Sequence, residues 1–240
     1  ITGRIEHGRS AAEFDPTKVA VTLNVLEGVT AVNQEAVMPD AAGNFSFTVM
    51  TSEMRTYFLS AEYQGARYSE TRSAEEFKEP VVIRVFDTTH DTSVLEFDNY
   101  SVIVAGAVPG EGWIEVLERA TVHNNSDKTL IPDPNANTPG MPSLLRFALP
   151  SGAYNLDVRS NLVGGDILEV DRGFALTTPV TPTNGEPHLF EFVYRLDYDL
   201  SAVDLSRVMR FGTNTFRYVA TVDVGRPISE ELVDLGATEL

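Results

Sequence analysis

The run from Asp40 to Tyr68 constrains the fold more than any other stretch of this chain. It reads Asp-Ala-Ala-Gly-Asn-Phe-Ser-Phe, then a polar gap, then Thr-Tyr-Phe-Leu-Ser-Ala-Glu-Tyr-Gln-Gly-Ala-Arg-Tyr. Asp40 with Gly43 supplies a turn, because an Asp side chain bonds its own backbone and Gly accepts positive φ. Phe45 and Phe47 alternate with Asn44, Ser46 and Thr48, the period of two of a half-buried strand. Tyr57, Leu59, Ala61 and Tyr63 repeat that alternation, and Gln64-Gly65 is a two-residue connection before Arg67-Tyr68-Ser69. The pattern predicts a turn, a strand, a loop and a hairpin.

The same period recurs along the chain. Strands are expected near 1–6, 18–27, 29–38, 45–50, 56–64, 66–71 and 81–86, with one helical turn at Ser73–Phe77 before Pro80. The polar break from Asp87 to Thr92 divides the chain. Beyond it, strands are expected at 100–108, from Trp113 towards Val122, and at 144–149, 167–170, 174–176, 189–196 and 216–224. Turns are expected at Gly110-Glu111-Gly112, Gly164-Gly165-Asp166 and Asp171-Arg172-Gly173. The segment Asn124–Met141 reads as a long loop, a length often tied to function. The expected fold class is all-β, two tandem antiparallel β-sandwich domains at 1–92 and 93–226. A tail at 227–240 follows, with a short helix capped by Ser229 or a stalk.

The motif Asp-x-x-Gly-x-Phe-x-Phe followed by Tyr-x-Leu-x-Ala-x-Tyr resembles the carboxypeptidase regulatory-like family. That family is the small sandwich shared with transthyretin-like and collagen-adhesin B-type repeats. Ile1–Ile5 is similar to the family's first strand and Val19–Leu23 to its second, so the resemblance covers roughly residues 1–95. The longer polar segment from Gly8 to Pro16 departs from the family pattern. The resemblance implies a spacer, adhesion or assembly module rather than a particular chemistry. It also raises an internal Lys–Asn/Asp isopeptide crosslink, known in some adhesin relatives, for which Lys18 is the candidate lysine.

Composition narrows the classes of function. A net charge of −17 over 240 residues argues against nucleic acid and anionic membranes as partners. The absence of cysteine excludes disulfides, thiolate metal sites and cysteine nucleophiles. No apolar run is long enough to span a bilayer. The chain opens on Ile1 rather than methionine, which leads us to expect a secreted or envelope protein whose signal peptide has been removed.

Catalytic motifs are sparse. His7, His90, His123 and His188 lack zinc-motif spacing and read as surface or loop residues. There is no Gly-x-Ser-x-Gly elbow, and the pairs Glu75/Glu76 and Glu230/Glu231 read as solvated faces. Hard oxygen ligands on loops suit calcium, and Asp87, Asp91, Asp127 and Asp133 are the candidate ligands, without an Asp-x-Asp-x-Asp-Gly pattern. Trp113, Tyr100, Tyr154, Tyr198 and Tyr218 are the aromatics a glycan site would draw on, with Trp113 itself expected in the core. Asn44, Asn99 and Asn124 each open an Asn-x-Ser sequence, which marks surface positions where such sites are glycosylated. The chain is therefore expected to be a non-enzymatic structural or assembly protein. The alternatives are a carbohydrate-binding or accessory module and a calcium-dependent adhesin.

Overall fold

The computed structural model describes residues 1–9, 13–108, 110–133, 145–162, 166–198, 202–209, 211–221, 224–225 and 228–236. Among these, helical structure is limited to 3₁₀ turns at Pro16–Lys18, Ala74–Lys78 and Thr92–Val94. The rest of the regular structure is β. In chain order the first strands are β1 Thr2–His7, β2 Val21–Glu27, β3 Thr30–Val37, β4 Asn44–Ser46, β5 Arg55–Tyr63, β6 Ala66–Arg72 and β7 Val81–Val85. There follow β8 Thr88–Thr89, β9 Leu95–Val108, β10 Trp113–Asn124, β11 Thr129–Leu130, β12 Leu145–Ala148 and β13 Tyr154–Ser160. The last are β14 Ile167–Val170, β15 Gly173–Leu176, β16 His188–Asp197 and β17 Thr213–Ala220.

Buried apolar side chains fall into two separate clusters, each between two sheets. In the first, the sheet β4-β1-β7 faces the sheet β3-β2-β5-β6. Strict alternation drives this: Val21, Leu23 and Val25 of β2 and Tyr57, Leu59 and Ala61 of β5 meet Ile5, Ile83 and Val85 from across the sandwich. Each Val, Leu and Ile among them contributes about 1.5–3 kcal/mol when fully buried. Phe45 and Phe47 are buried, as their alternation predicts. Gly3 makes room for Phe45, since a Cβ there would lie 2.3 Å from the Phe45 ring. β1 pairs antiparallel with β4 and parallel with β7, from Gly3 opposite Val81 to His7 opposite Val85.

The Asp40 turn forms as the sequence predicts. Asp40 Oδ1 accepts from the amides of Ala42 and Asn44, at 2.9 and 2.8 Å. Gly43 sits at φ +84°, and a Cβ there would come within 2.3 Å of the Ile5 carbonyl oxygen. Gln64 and Gly65 both have positive φ, 48° and 80°, the geometry of a tight type I′ hairpin turn between β5 and β6.

In the second cluster a five-stranded sheet, β13-β16-β10-β9-β17, faces the short sheet β12-β15-β14. β17 runs parallel to β9, and the other pairs in both sheets are antiparallel. Phe147, Phe174 and Phe192 form its aromatic centre, with ring centroids 5.0–5.2 Å apart. The three short strands are too small to cover the whole five-stranded face. The remainder is covered in part by the segment 202–209 and by Phe211, with Val203, Leu205 and Phe211 packed on the core. Phe211 stacks on Phe97 at 4.9 Å.

Several expectations need correction. Trp113 is not a core residue: the inner face of β10 carries Ile114, Val116, Glu118, Ala120 and Val122, so Trp113 lies on the opposite face beneath the Arg195 guanidinium, 3.9 Å from its ring. The expected loop from Asn124 begins as strand, because Asn124 closes β10 and Thr129–Leu130 forms β11; residues 134–144 lie outside the described set. β13 was not expected. No helix forms over 228–236, although Ser229 Oγ accepts from the Glu231 and Leu232 amides as a cap would; 237–240 lie outside the described residues, as do Gly164 and Gly165.

Candidate functional site

Two polar constellations stand out, and both are built inside the fold. The first lies where the two cores meet. Tyr68, on β6, is buried, and its hydroxyl donates to the Phe86 carbonyl and shares a hydrogen bond with the Thr129 hydroxyl, both at 2.8 Å. Burial raises the Tyr68 pKa, so the phenol stays protonated and able to donate. Asp87 Oδ1 accepts from Gln64 Nε2 at 2.8 Å and from the Tyr63 hydroxyl at 3.2 Å. Gln64 Oε1 in turn accepts from the Thr88 amide at 3.0 Å, so the hairpin turn of the first sandwich clasps the connecting strand.

That strand, β8, pairs parallel with β11, and Leu130 exchanges backbone hydrogen bonds with Val180. Asn124 is fully buried behind it and donates to the carbonyls of Lys128 and Val180. His7 completes the junction. It is not the surface residue that the sequence suggests, since its side chain is 6% exposed and packs among Phe14, Tyr63 and Phe86. Its Nε2 is 3.6 Å from Asp87 Oδ1, too long for a hydrogen bond.

The second constellation is a carboxylate inside the second core. Glu118, on the central strand β10, is fully buried. Its Oε2 accepts from the Tyr100 hydroxyl at 2.5 Å and its Oε1 from the Tyr194 hydroxyl at 2.7 Å. Arg207, from the covering segment, places Nη1 2.7 Å from Glu118 Oε1 and 3.0 Å from the Tyr194 hydroxyl. Burial pushes the Glu118 carboxyl up, while Arg207 and the two phenols pull it back. Burial beside this carboxylate raises both tyrosines well above their ordinary range, which keeps them donors. Every oxygen of Glu118 is thus occupied. The void lined by Tyr100, Arg146 and Phe211 is about 10 Å³, room for no more than one water. The arrangement holds an ion pair inside the core.

Alternation within β10 carried the signal for Glu118, because it places one carboxylate among four apolar residues on a single face. The pairing with Arg207 had no such signal, since that residue lies in a segment without a ladder.

The candidate calcium ligands do not come together. Asp87 is held by Tyr63 and Gln64, Asp91 caps a 3₁₀ turn through the Ser93 amide, and Asp127 faces Arg9 at 3.9 Å. Asp133 is half-buried after β11. Among the described residues no three His, Asp or Glu side chains form a group able to hold a metal. Lys18 is unsuited to an internal crosslink, because its side chain is 80% exposed and pairs with Asp15 at 3.2 Å.

Of the aromatics a glycan site would need, Tyr100 is in the core, Tyr198 and Tyr218 pack against it, and Tyr154 is 37% exposed at the sheet edge. Burial lowers the His188 pKa, and its Nε2 donates to the Thr181 carbonyl at 2.7 Å. An open depression of about 890 Å³ lies against β4, β1 and β7, lined by Arg4, Met38, Asp40 and Asn44.

No protein-family profile matches the chain, and no curated protein matches it. Solved structures that resemble part of it include the M1 zinc metallopeptidase of Deinococcus radiodurans, at 18% identity and a TM-score of 0.27, covering 45% of this chain and 21% of that one. A mutant of the same enzyme with a Tyr-Ser-Ala substrate matches at the same identity and TM-score, over 45% of this chain and 22% of that chain. This chain therefore spans about a fifth of that enzyme's length, and a likeness of this degree assigns neither fold nor activity.

Proposed function

We propose that this chain is a non-catalytic structural or assembly protein of the extracellular space or cell envelope, acting through protein–protein contacts of its β-sandwich units. On this reading the first unit is a carboxypeptidase regulatory-like sandwich used as a module of attachment. The observation that carries the reading is β3. This edge strand is exposed along nearly its whole length and on both faces, and it presents an open row of backbone donors and acceptors. The polar clusters inside the fold support the same reading, because Glu118, Asn124 and Tyr68 are each spent on holding elements together. Among the described residues no helix is long and apolar enough to cross a membrane.

Electron microscopy and light scattering of the purified protein, with calcium and with chelator, test the proposal. A defined oligomer, filaments or sheets are the expected outcome. A monomer that captures glycans on an array but forms no protein contacts would overturn it.

A further inference from the structure

β3 is eight residues long and carries one charge, Glu35. Ordering a strand costs roughly 1–2 kcal/mol of backbone entropy per residue, which side-chain burial ordinarily offsets. Here only Val37 is partly covered, while Val32 is 46% and Met38 56% exposed. Natural edges are commonly blunted by lysine, proline or a covering loop, and β3 contains neither residue. Its one irregularity lies opposite Val25 and Leu26, near the hairpin tip, so Asn33–Val37 is regular.

Resting on the assembly reading above, we propose that β3 pairs antiparallel with β3 of a second copy about a two-fold axis through Gln34. The charge pattern selects this register. Adjacent antiparallel pairs alternate between hydrogen-bonded and non-hydrogen-bonded, so a two-fold axis must pass through a residue that faces its own copy. Centring on Glu35 sets two carboxylates against each other, on a chain already at −17. Centring on Asn33 sets Glu35 against Ala31. Centring on Gln34 pairs the two Gln34 amides and, within the regular stretch Asn33–Val37, places Asn33 opposite Glu35 of the second copy as an amide donor to a carboxylate. Both free edges are satisfied in one contact, and the closed symmetry stops growth at a dimer through this edge.

The absence of cysteine makes the test clean. Light scattering of the wild type is expected to show a concentration-dependent doubling of the 26.3 kDa mass. Gln34→Glu, which sets two carboxylates face to face, is expected to restore the monomer with unchanged thermal unfolding. Gln34→Cys is expected to form a disulfide-linked dimer under mild oxidation, because opposed Cα atoms about 4.5–5.5 Å apart lie within disulfide reach. Val29→Cys, about 30 Å from its counterpart in this register, is expected not to.

A wild type that assembles equally well with Gln34→Glu, or a Val29→Cys crosslink as efficient as that of Gln34→Cys, overturns the β3 contact and leaves the assembly reading standing. A wild type that stays monomeric up to about 100 µM overturns the second copy as partner.

Discussion

Replacing Arg207 with Met isolates the role of the buried charge in the second sandwich. In the wild type Glu118 and Arg207 are 0% and 6% exposed at their side chains, and the pair is joined at 2.7 Å. Removing one partner of such a pair leaves the other buried without compensation, at a cost of about 3–5 kcal/mol. For a unit of this size that is a drop in Tm on the order of 10 °C.

The deficit of Arg207→Met should depend on pH in a definite direction. Without Arg207, the Glu118 carboxyl in the fold titrates above its unfolded value of about 4.3. Between those two pKa values the folded state binds more protons than the unfolded state, so stability falls as pH rises through the window. Relative to wild type, Arg207→Met is therefore expected to recover as pH is lowered from about 8 to about 5. Adding Glu118→Gln removes the stranded charge and keeps an acceptor for the phenols of Tyr100 and Tyr194, so the double variant should return to within about 1–2 kcal/mol of wild type. Urea denaturation of the three proteins across pH is the assay. A deficit below about 1 kcal/mol, or one equal at both ends of the pH range, would refute the assignment of Glu118 as a carboxylate held charged by Arg207.

Gly43→Ala should destabilise the first sandwich by at least about 2 kcal/mol in urea, since the position requires positive φ and its Cβ would meet the Ile5 carbonyl at 2.3 Å. Tyr68→Phe strands the Thr129 hydroxyl in the junction at a cost of about 1–3 kcal/mol, and should split unfolding into two resolved calorimetric transitions. Asp40 accepts a side-chain hydrogen bond from Asn44 together with backbone amides, which lowers its pKa; its stabilising effect is present above the unfolded value and lost as pH falls through the lowered one. Asn44→Ala should move the Asp40 carboxyl back towards the ordinary aspartate range in an NMR titration.

Much of the first sandwich was legible because its signals are local. Asp40 and Gly43 specify a turn through their own backbone, and Phe45 and Phe47 read inward by simple alternation. Gln64-Gly65 announced the hairpin but not its second task, since the Gln64 side chain reaches Asp87 and Thr88 from a distant part of the chain. β8 and β11 are two residues long, and their pairing exists only where the two sandwiches meet. Trp113 was misread because an aromatic in an apolar run suggests a core, whereas the phase of β10 is set by Ile114, Val116, Ala120 and Val122. β13 had its own alternation, with Leu156 and Val158 turned to the core, diluted by polar neighbours. Arg207 carried no local signal at all. Its partner is chosen by how the chain returns across a sheet.

The parallel pairing of β1 with β7 has a mechanical consequence. The chain enters the first sandwich through one of these strands and leaves through the other, and they run side by side in register from Gly3 and Val81 to His7 and Val85. Tension applied to the two ends of that unit draws the strands in opposite directions along their common axis. All the rungs between them are then loaded together in shear, whereas a hairpin pulled at its open end parts one rung at a time. Forced unfolding is governed by the barrier rather than by equilibrium stability, so this geometry lends the first sandwich resistance to stretching beyond what its melting temperature reports.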